Sequence, residues 1–434
     1  MKKITNFIMS QEMIENLKTE VSEFKGLDRF TVGFNLMNIN RLQSTMICML
    51  KDSYVQQSQR YVKNNISSFE MLNTGNSYLD LKYENLINKT MDLYDRMTEI
   101  KEESRGKSRT TVKDYKHGIP IEDARYILPL SAKTNISVTM GGDKFLVFIS
   151  LLKKYSTTIF KNLFIEVSEL LNGMGIEVEQ LVVKSDVIND LFASNVNELF
   201  NVAESTSVEV DSKGIDAICR GILMSTTSDP SKRVDEKYPT LESRQQLINR
   251  VAGYGHTSVL EQYRFNSIMK CSMVTFHQLI RHRMITIKPL DFGNMKLLLS
   301  DKSHVVPKSI MKSQFVDEYN NLINEWRQFT TELVQNKCFN ESAILTILNG
   351  DVIPFNYTTN VRADVEFMNK RLCVNAQWEI RQMAKERLNV IRNTEIGFIY
   401  DKFAKADCHL PRGCQEGAYS CMPSVREAAK LAKK

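Results

Sequence analysis

No apolar run in this sequence approaches membrane-spanning length: the longest, Phe145 to Leu152, falls well short of the roughly 20 residues that a bilayer-crossing helix needs. The opening MKKITNFIMSQEM lacks the hydrophobic core of a secretory signal. The chain is therefore expected to be cytoplasmic, with no membrane partner. Neither sign of charge dominates, because 57 Lys and Arg against 51 Asp and Glu leave a net charge of only +6. Such a balance admits an anionic ligand without demanding a polyanion. No basic stripe interleaved with aromatics is present either, so no nucleic-acid role is expected. The polar excess of a disordered chain is also missing: 42% hydrophobic and 25% charged residues are ordinary for a globular protein, and 434 residues suffice for two cores.

Paired C-x-x-C spacing is absent as well. Of the eight cysteines, Cys48, Cys219, Cys271, Cys338 and Cys373 are scattered through apparent core elements, as reduced thiols acting as small hydrophobes are. Cys408, Cys414 and Cys421 cluster with His409 in the tail, CHLPRGCQEGAYSC. These are zinc-ligand residue types, but their irregular spacing is not that of a structural zinc site, and no metal is expected.

What the sequence does have is a dense polar stretch from His256 to Arg283, HTSVLEQYRFNSIMKCSMVTFHQLIRHR. Tyr263 to Ser272 alternates as a half-buried strand does. Met273 to Arg283 has helical periodicity through Val274, Leu279 and Ile280, which puts Arg281, His282 and Arg283 at the carboxy-terminal end, where cations meet a favourable dipole. Taken alone, these three would read as a helix cap. Gln278 and Arg281 share a helical face, however, and His256, Ser258 and Glu261 arrive just before the strand. A purely structural element would not carry that many groups in need of partners.

A similar order occurs earlier. Arg29 to Asn40 reads as a strand, followed by a helix that runs into a polar turn. Laid over the later stretch, Cys48-Met49-Leu50 takes the place of Arg281-His282-Arg283, and Ser53 to Tyr61, SYVQQSQRY, follows. Ser77 to Glu103 has helical spacing, and Glu102 to His117 reads as an exposed loop. Lys144 to Val208 gives amphipathic helices ending in a polar connector, NVAESTSVEVDSKG, read as the boundary between domains 1–206 and 207–434. Lys308 to Leu333 reads as a charged helix, and Asn360 to Glu379 as an amphipathic helix whose polar face is either solvated or functional. Residues 1 to 28 offer no assignable element.

The order H-x-S-x-x-E, strand, Q-x-x-R-H-R resembles the flavin-dependent thymidylate synthase family. That family's signature continues with S-x-N-E-x-S-x-R-Y, which the second half of the chain has lost: Asp291 stands at the second serine position, and Gly293 and Asn294 where Arg-Tyr belongs. The first half keeps this part at Ser53 to Tyr61, with Val55 and Gln56 in place of Asn and Glu. It also keeps A-R-x-x-L-P at Ala124 to Pro129, where the second half has Ile344 for the arginine. Conversely, Asn360 and Arg362 supply N-x-R, Arg371 the later arginine, and Ala376 to Ile380 the A-Q-W-E-I segment, while the first half has Gly141-Gly142-Asp143 at N-x-R. The losses are complementary.

The resemblance implies an α/β fold of the α+β kind, two related domains in tandem, each a central, largely antiparallel sheet with packed helices. It implies C5 methylation of deoxyuridine monophosphate (dUMP) or a closely related pyrimidine deoxynucleotide, without a catalytic cysteine. FAD would be the cofactor, with methylenetetrahydrofolate and NADPH as co-substrates. By the same resemblance Arg281 and Arg371 face the uracil, and Gln278 helps fix it. Gln57, Ser58, Arg60 and Arg125 hold the phosphate and sugar. His256, Ser258, Glu261, His282, Arg283, Asn360 and Arg362, with Glu366, bind the flavin. Arginine suits this work because it stays cationic and its planar fork holds a phosphate or carbonyl in bidentate geometry. Since the family's active site forms where subunits meet, the expectation is a fused pseudo-dimer with one composite site, itself assembling as a homo-oligomer. Without the resemblance, Arg125 reads as a surface ion pair with Glu122 or Asp123. Two further functions stay open: an inactive flavin- or nucleotide-binding or assembly subunit, suggested by the broken signature in both halves, and a hydroxymethylase, suggested by the departures at Val55, Gln56 and Glu366.

Overall fold

A computed structural model describes residues 3–18, 26–59, 62–99, 118–182, 186–202, 206–211, 213–299, 303–338 and 341–431. The chain divides into two compact units, one of Met1–Ser194, Ser272–His277 and Pro289–Ile353, the other of Asn195–Cys271, Gln278–Lys288 and Pro354–Lys434. These units and the two sequence repeats are different divisions of the chain.

Strict alternation builds the first sheet. Strands β1 (Ile4–Ile8), β2 (Thr31–Asn40), β3 (Ser53–Gln56) and β4 (Lys133–Gly141) are ordered β1-β2-β4-β3, with all pairs antiparallel. Val32, Phe34 and Leu36 of β2 and Ile136, Val138 and Met140 of β4 point inward, the period of two that leaves the other face polar. A bulge shifts the β2–β4 register between Leu36 and Ile39, and Asn38 takes a positive φ of 55° there, which asparagine tolerates better than most residues. Asn40 then starts helix α1 (Arg41–Cys48), its side-chain oxygen accepting from the Gln43 N–H at 2.8 Å in a capping box.

The second sheet repeats this plan. Strands β5 (Thr206–Glu209), β6 (Arg264–Ser272), β7 (Thr286–Pro289) and β8 (Val352–Asn360) are ordered β5-β6-β8-β7, so each strand occupies the place its counterpart has in the first sheet. Both sheets are antiparallel. The expected fold class is therefore the one observed. Several local expectations need correction. Residues 1 to 28 contain β1, the polar turn after α1 contains β3, and the polar connector contains β5. These edge strands are only four or five residues long, so their signal lies in the backbone pairing offered by β2, β4 and β6 rather than in their own pattern. The segment read as one charged helix from Lys308 splits into Lys308–Met311 and a long helix beginning at Val316. The predicted loop at 102–117 lies outside the described residues.

Within the first unit, equivalent segments of the two repeats pair with each other. The Leu130 N–H donates to the Ile347 carbonyl and the Asn349 N–H to the Leu128 carbonyl, both at 2.8 Å, around an antiparallel bridge between Pro129 and Leu348. Leu130 and Asn349 are repeat-related positions, as are Leu128 and Ile347, so the two bonds are related by a local two-fold, the self-complementary geometry of a homodimer interface. Helices α2 (Ser77–Thr98) and α3 (Val316–Gln335) continue the association in the same unit. Lys82–Glu332 and Lys89–Glu325, each at 2.6 Å, and Arg96–Glu318 form a ladder stepping seven residues forward on α2 and seven back on α3, which makes the pair antiparallel in heptad register. Trp326, 1% exposed, fills the seam, donating to the Thr90 hydroxyl at 3.0 Å and meeting the Tyr83 ring edge-on.

The exposed ion pairs fix register at little energetic gain, whereas the buried indole carries the packing. Trp326→Ala is expected to cost about 3–5 kcal/mol in chemical denaturation. Lys89→Glu should cost less than about 1 kcal/mol, with Glu325→Lys restoring it. A Trp326 loss no larger than that of the ion pair would show that the ladder, not the packed seam, holds these helices.

Candidate active site

In the second unit the polar stretch enters on a turn. Gly255 has φ +91°, a left-handed conformation glycine adopts without strain, and it delivers His256 to the start of a 3-10 helix, Thr257–Gln262. His256, Ser258 and Glu261 are all exposed along this segment. Strand β6 follows and ends at Ser272, whose hydroxyl accepts from the Thr275 N–H and opens helix α4 (Met273–Leu279). The helix stops at Leu279 rather than continuing to Arg283, so Arg281, His282 and Arg283 lie in the turn between α4 and β7. Gln278 is half-buried, and Arg281 and Arg283 are exposed.

Helix α5 (Val361–Arg371) brings the later motif to these residues. Asn360 caps it, its side-chain oxygen accepting from the Ala363 N–H at 2.8 Å, so this side chain is occupied by its own helix. Arg362, 43% exposed, pairs with Glu261, which ties the start of α5 to the 3-10 segment. At the other end the Arg371 Nε–H donates to His282 Nε2 at 2.8 Å, and the His282 ring stands edge-on to Phe367 at 5.0 Å between centroids. Two motif pieces far apart in sequence thus meet. From Arg362 to Arg371 the rise of the helix is about 14 Å, so α5 presents cations at both ends of an extended surface.

The carboxy-terminal tail closes on the same helix. Asp407 accepts from Lys370 and Arg412, Arg412 also reaches Glu366 at 3.4 Å, and the Asn375 amide donates to the Tyr419 carbonyl at 2.7 Å. Sequence reasoning attended to the tail's cysteines and missed this clamp, whose only local signal is two oppositely charged residues, Asp407 and Arg412, within one turn-rich segment. Among the described residues no group of three or more His, Cys, Asp or Glu could hold a metal ion. Gln377, in the A-Q-W-E-I segment, is buried and caps the next helix, α6 (Trp378–Arg392), by accepting from the Glu379 and Ile380 N–H groups.

In the first unit, edge strand β3 leads into the retained S-x-R-Y stretch. Gln57 is exposed, its N–H bonded to the Asn135 carbonyl, and Ser58 is half-buried. Arg60 lies outside the described residues. Arg125 is not a surface residue: it is 5% exposed, with its Nε–H donating to the Glu122 carbonyl, while Asp123 accepts from Ser309. Where the second repeat carries Arg281, His282 and Arg283, the first carries buried Cys48, Met49 and Leu50.

The electrostatics follow from the packing. Burial, assisted by the positive charge of Arg371, lowers the His282 pKa from 6.5 to about 3. At neutral pH the imidazole is therefore uncharged, and because Nε2 accepts from Arg371, its proton sits on Nδ1. The pair holds the guanidinium without neutralising it. The thiols are poorly placed as nucleophiles: burial pushes Cys219 up to about 11 and Cys271 well above its ordinary range. Cys373 lies in the loop after α5 rather than inside a helix.

Titration should expose the histidine directly. Between pH 6.5 and about 3 the unfolded chain binds a proton at His282 that the folded chain refuses, so stability should fall as pH drops through this window. His282→Gln should flatten that slope, and NMR titration should find the ring neutral down to about pH 4. A His282 signal that titrates near 6.5 would overturn the assignment.

Comparison with known proteins shows the family. The family model described as thymidylate synthase complementing protein matches residues 32–158 and again 209–394. The flavin-dependent thymidylate synthase of Thermococcus onnurineus is 31% identical over 152 residues, covering 34% of this chain and 62% of the relative. That of Pyrococcus abyssi is 32% identical over 162 residues, with 34% and 62% covered. That of Clostridium tetani is 26% identical over 198 residues, with 42% and 78% covered. The chain thus spans about three fifths of the length of the two archaeal relatives. With two matches in tandem covering most of its length, the chain belongs to the thymidylate synthase complementing protein family and carries the family's domain twice.

Proposed function

We propose that the chain is a cytoplasmic, homo-oligomeric enzyme that methylates C5 of dUMP, or of a closely related pyrimidine deoxynucleotide, with methylenetetrahydrofolate as carbon donor, FAD as cofactor and NADPH as reductant. The observation that carries this reading is the Arg371–His282 hydrogen bond, which joins the two motif segments of the second repeat in one place. The residues fit an anionic dinucleotide: Arg281 and Arg283 are exposed in the turn, Arg362 at the start of α5, and His256 on the segment tied to it through Glu261. Bound by this set, FAD would supply the reducing equivalents that turn a transferred methylene into a methyl group.

The chain's own residues then have distinct tasks. Arg281 and Arg371 stabilise negative charge developing on the pyrimidine when C5 becomes nucleophilic, a role that needs a cation fixed in advance. Neutral His282 fixes Arg371 by accepting its Nε–H. Gln278 orients the base. Gln57, Ser58, Arg60 and Arg125 of the first repeat hold phosphate and sugar, so that both repeats serve one nucleotide. The complementary losses support this division, as does the two-fold backbone pairing of repeat-related segments in the first unit.

Flavin content and nucleotide affinity separate the two halves. His256→Ala and Arg362→Ala should purify with reduced flavin absorbance, while Ser58→Ala and Arg60→Ala should keep it. Calorimetric titration of dUMP into Arg60→Ala should show a loss of about 1.5–3 kcal/mol, one charge-assisted hydrogen bond. Full flavin in the first pair with loss in the second would overturn the division.

A further inference from the structure

A cavity of about 450 Å³ opens within the first unit, large enough for a nucleotide-sized ligand. One wall is made by Asp291, Gly293 and Ile344 of the second repeat. In the repeat alignment these stand where the first repeat has Ser58, Arg60 and Arg125. The facing wall is made by Tyr155, Thr158 and Ile159 of the first repeat, which correspond to Val374, Gln377 and Trp378 just after Arg371. The cavity therefore joins the nucleotide-side positions of one repeat to the segment of the other that corresponds to the stretch after Arg371, the combination proposed above for the functional residues, taken in the opposite sense.

Its charge is reversed. Both arginine positions are vacant, and a carboxylate replaces the serine hydroxyl. Asp291 is held firmly: one oxygen accepts the Tyr155 hydroxyl at 2.9 Å and the other the Gly293 N–H at 3.0 Å. Burial and the Asp291 charge raise the Tyr155 pKa, so the phenol stays neutral and the wall keeps one negative charge. Size does not close this pocket to a nucleotide; a phosphate entering it would meet a carboxylate instead of two guanidinium groups.

We propose that Asp291 is a specificity determinant that keeps this second, repeat-related pocket closed to phosphate-bearing pyrimidine nucleotides, so that the chain binds one nucleotide rather than two. The proposal rests on the composite reading only for the identity of the ligand. The charge can be reversed without disturbing the core, because a Cβ added at Gly293 would meet only the Asp291 carboxylate, at 3.5 Å, and the residue is exposed.

The test is the number of dUMP molecules bound per full-length chain, by equilibrium dialysis and calorimetry, for the wild type, Asp291→Asn and Asp291→Ser with Gly293→Arg. One equivalent is expected for the wild type and a second for the double variant, its affinity raised on the order of tenfold to a hundredfold over any residual wild-type binding there. Asp291→Asn, which removes the charge and changes little shape, should move part of the way. A wild type that binds two equivalents overturns the proposal while leaving the proposed function standing. A wild type that binds none and a double variant that binds one supports it while sinking the proposed function. Native thermal melts with an unchanged count in both variants overturn it.

Discussion

Backbone pairing between Leu128–Leu130 and Ile347–Asn349 is the contact on which the first unit is organised. All these residues are buried, so each N–H and carbonyl that did not find its partner there would carry the cost of an unsatisfied polar group. The bonds are reciprocal because the segments are repeat-related, and that reciprocity sets the order of everything beside them. The A-R-x-x-L-P segment is placed next to its own counterpart, Asn349 reaches the Arg125 carbonyl at 3.2 Å, and Thr45 of α1 meets His277 of the repeat-related helix at 2.7 Å.

A fused pair of repeats frees each copy from symmetry. In a homodimer a substitution appears at both equivalent sites, whereas here Ser58 and Asp291, or Arg125 and Ile344, diverge independently. The first repeat has buried Cys48, Met49 and Leu50 at its R-H-R equivalent, and the second has, at its S-x-R-Y equivalent, an acidic turn held by Tyr155. The backbone plan survived both changes: the strand orders of the two sheets are the same. What diverged is side-chain charge at the strand–helix junctions, and not the alternation that buries the sheets.

Charge in the second unit is managed by keeping partners neutral or local. His282 gives up its proton rather than face Arg371 as a second cation, so one positive charge remains where two would repel. Deeper in the unit Arg387 is fully buried against Asp364, with Tyr357 and Tyr400 hydrogen-bonded to the same carboxylate, a network that satisfies the acid on both oxygens and orients α5 from behind. The side chains at the surface of α5 are thus positioned by a fully buried network.

The sequence by itself determined the alternating strands β2 and β6, because burying one face of a sheet writes a period of two into the chain, and it supplied the motif residues whose order carries the family resemblance. The caps came with the structure: Asn40 and Asn360 stand where strands turn into helices. Only the tertiary structure decided that His282 meets Arg371, that Arg125 is buried rather than paired at the surface, and that β1, β3 and β5 are strands at all. The physical reason is the same in each case. Periodicity records which face of an element is buried but not what covers it, and a short edge strand is stable only when a distant segment supplies the hydrogen bonds.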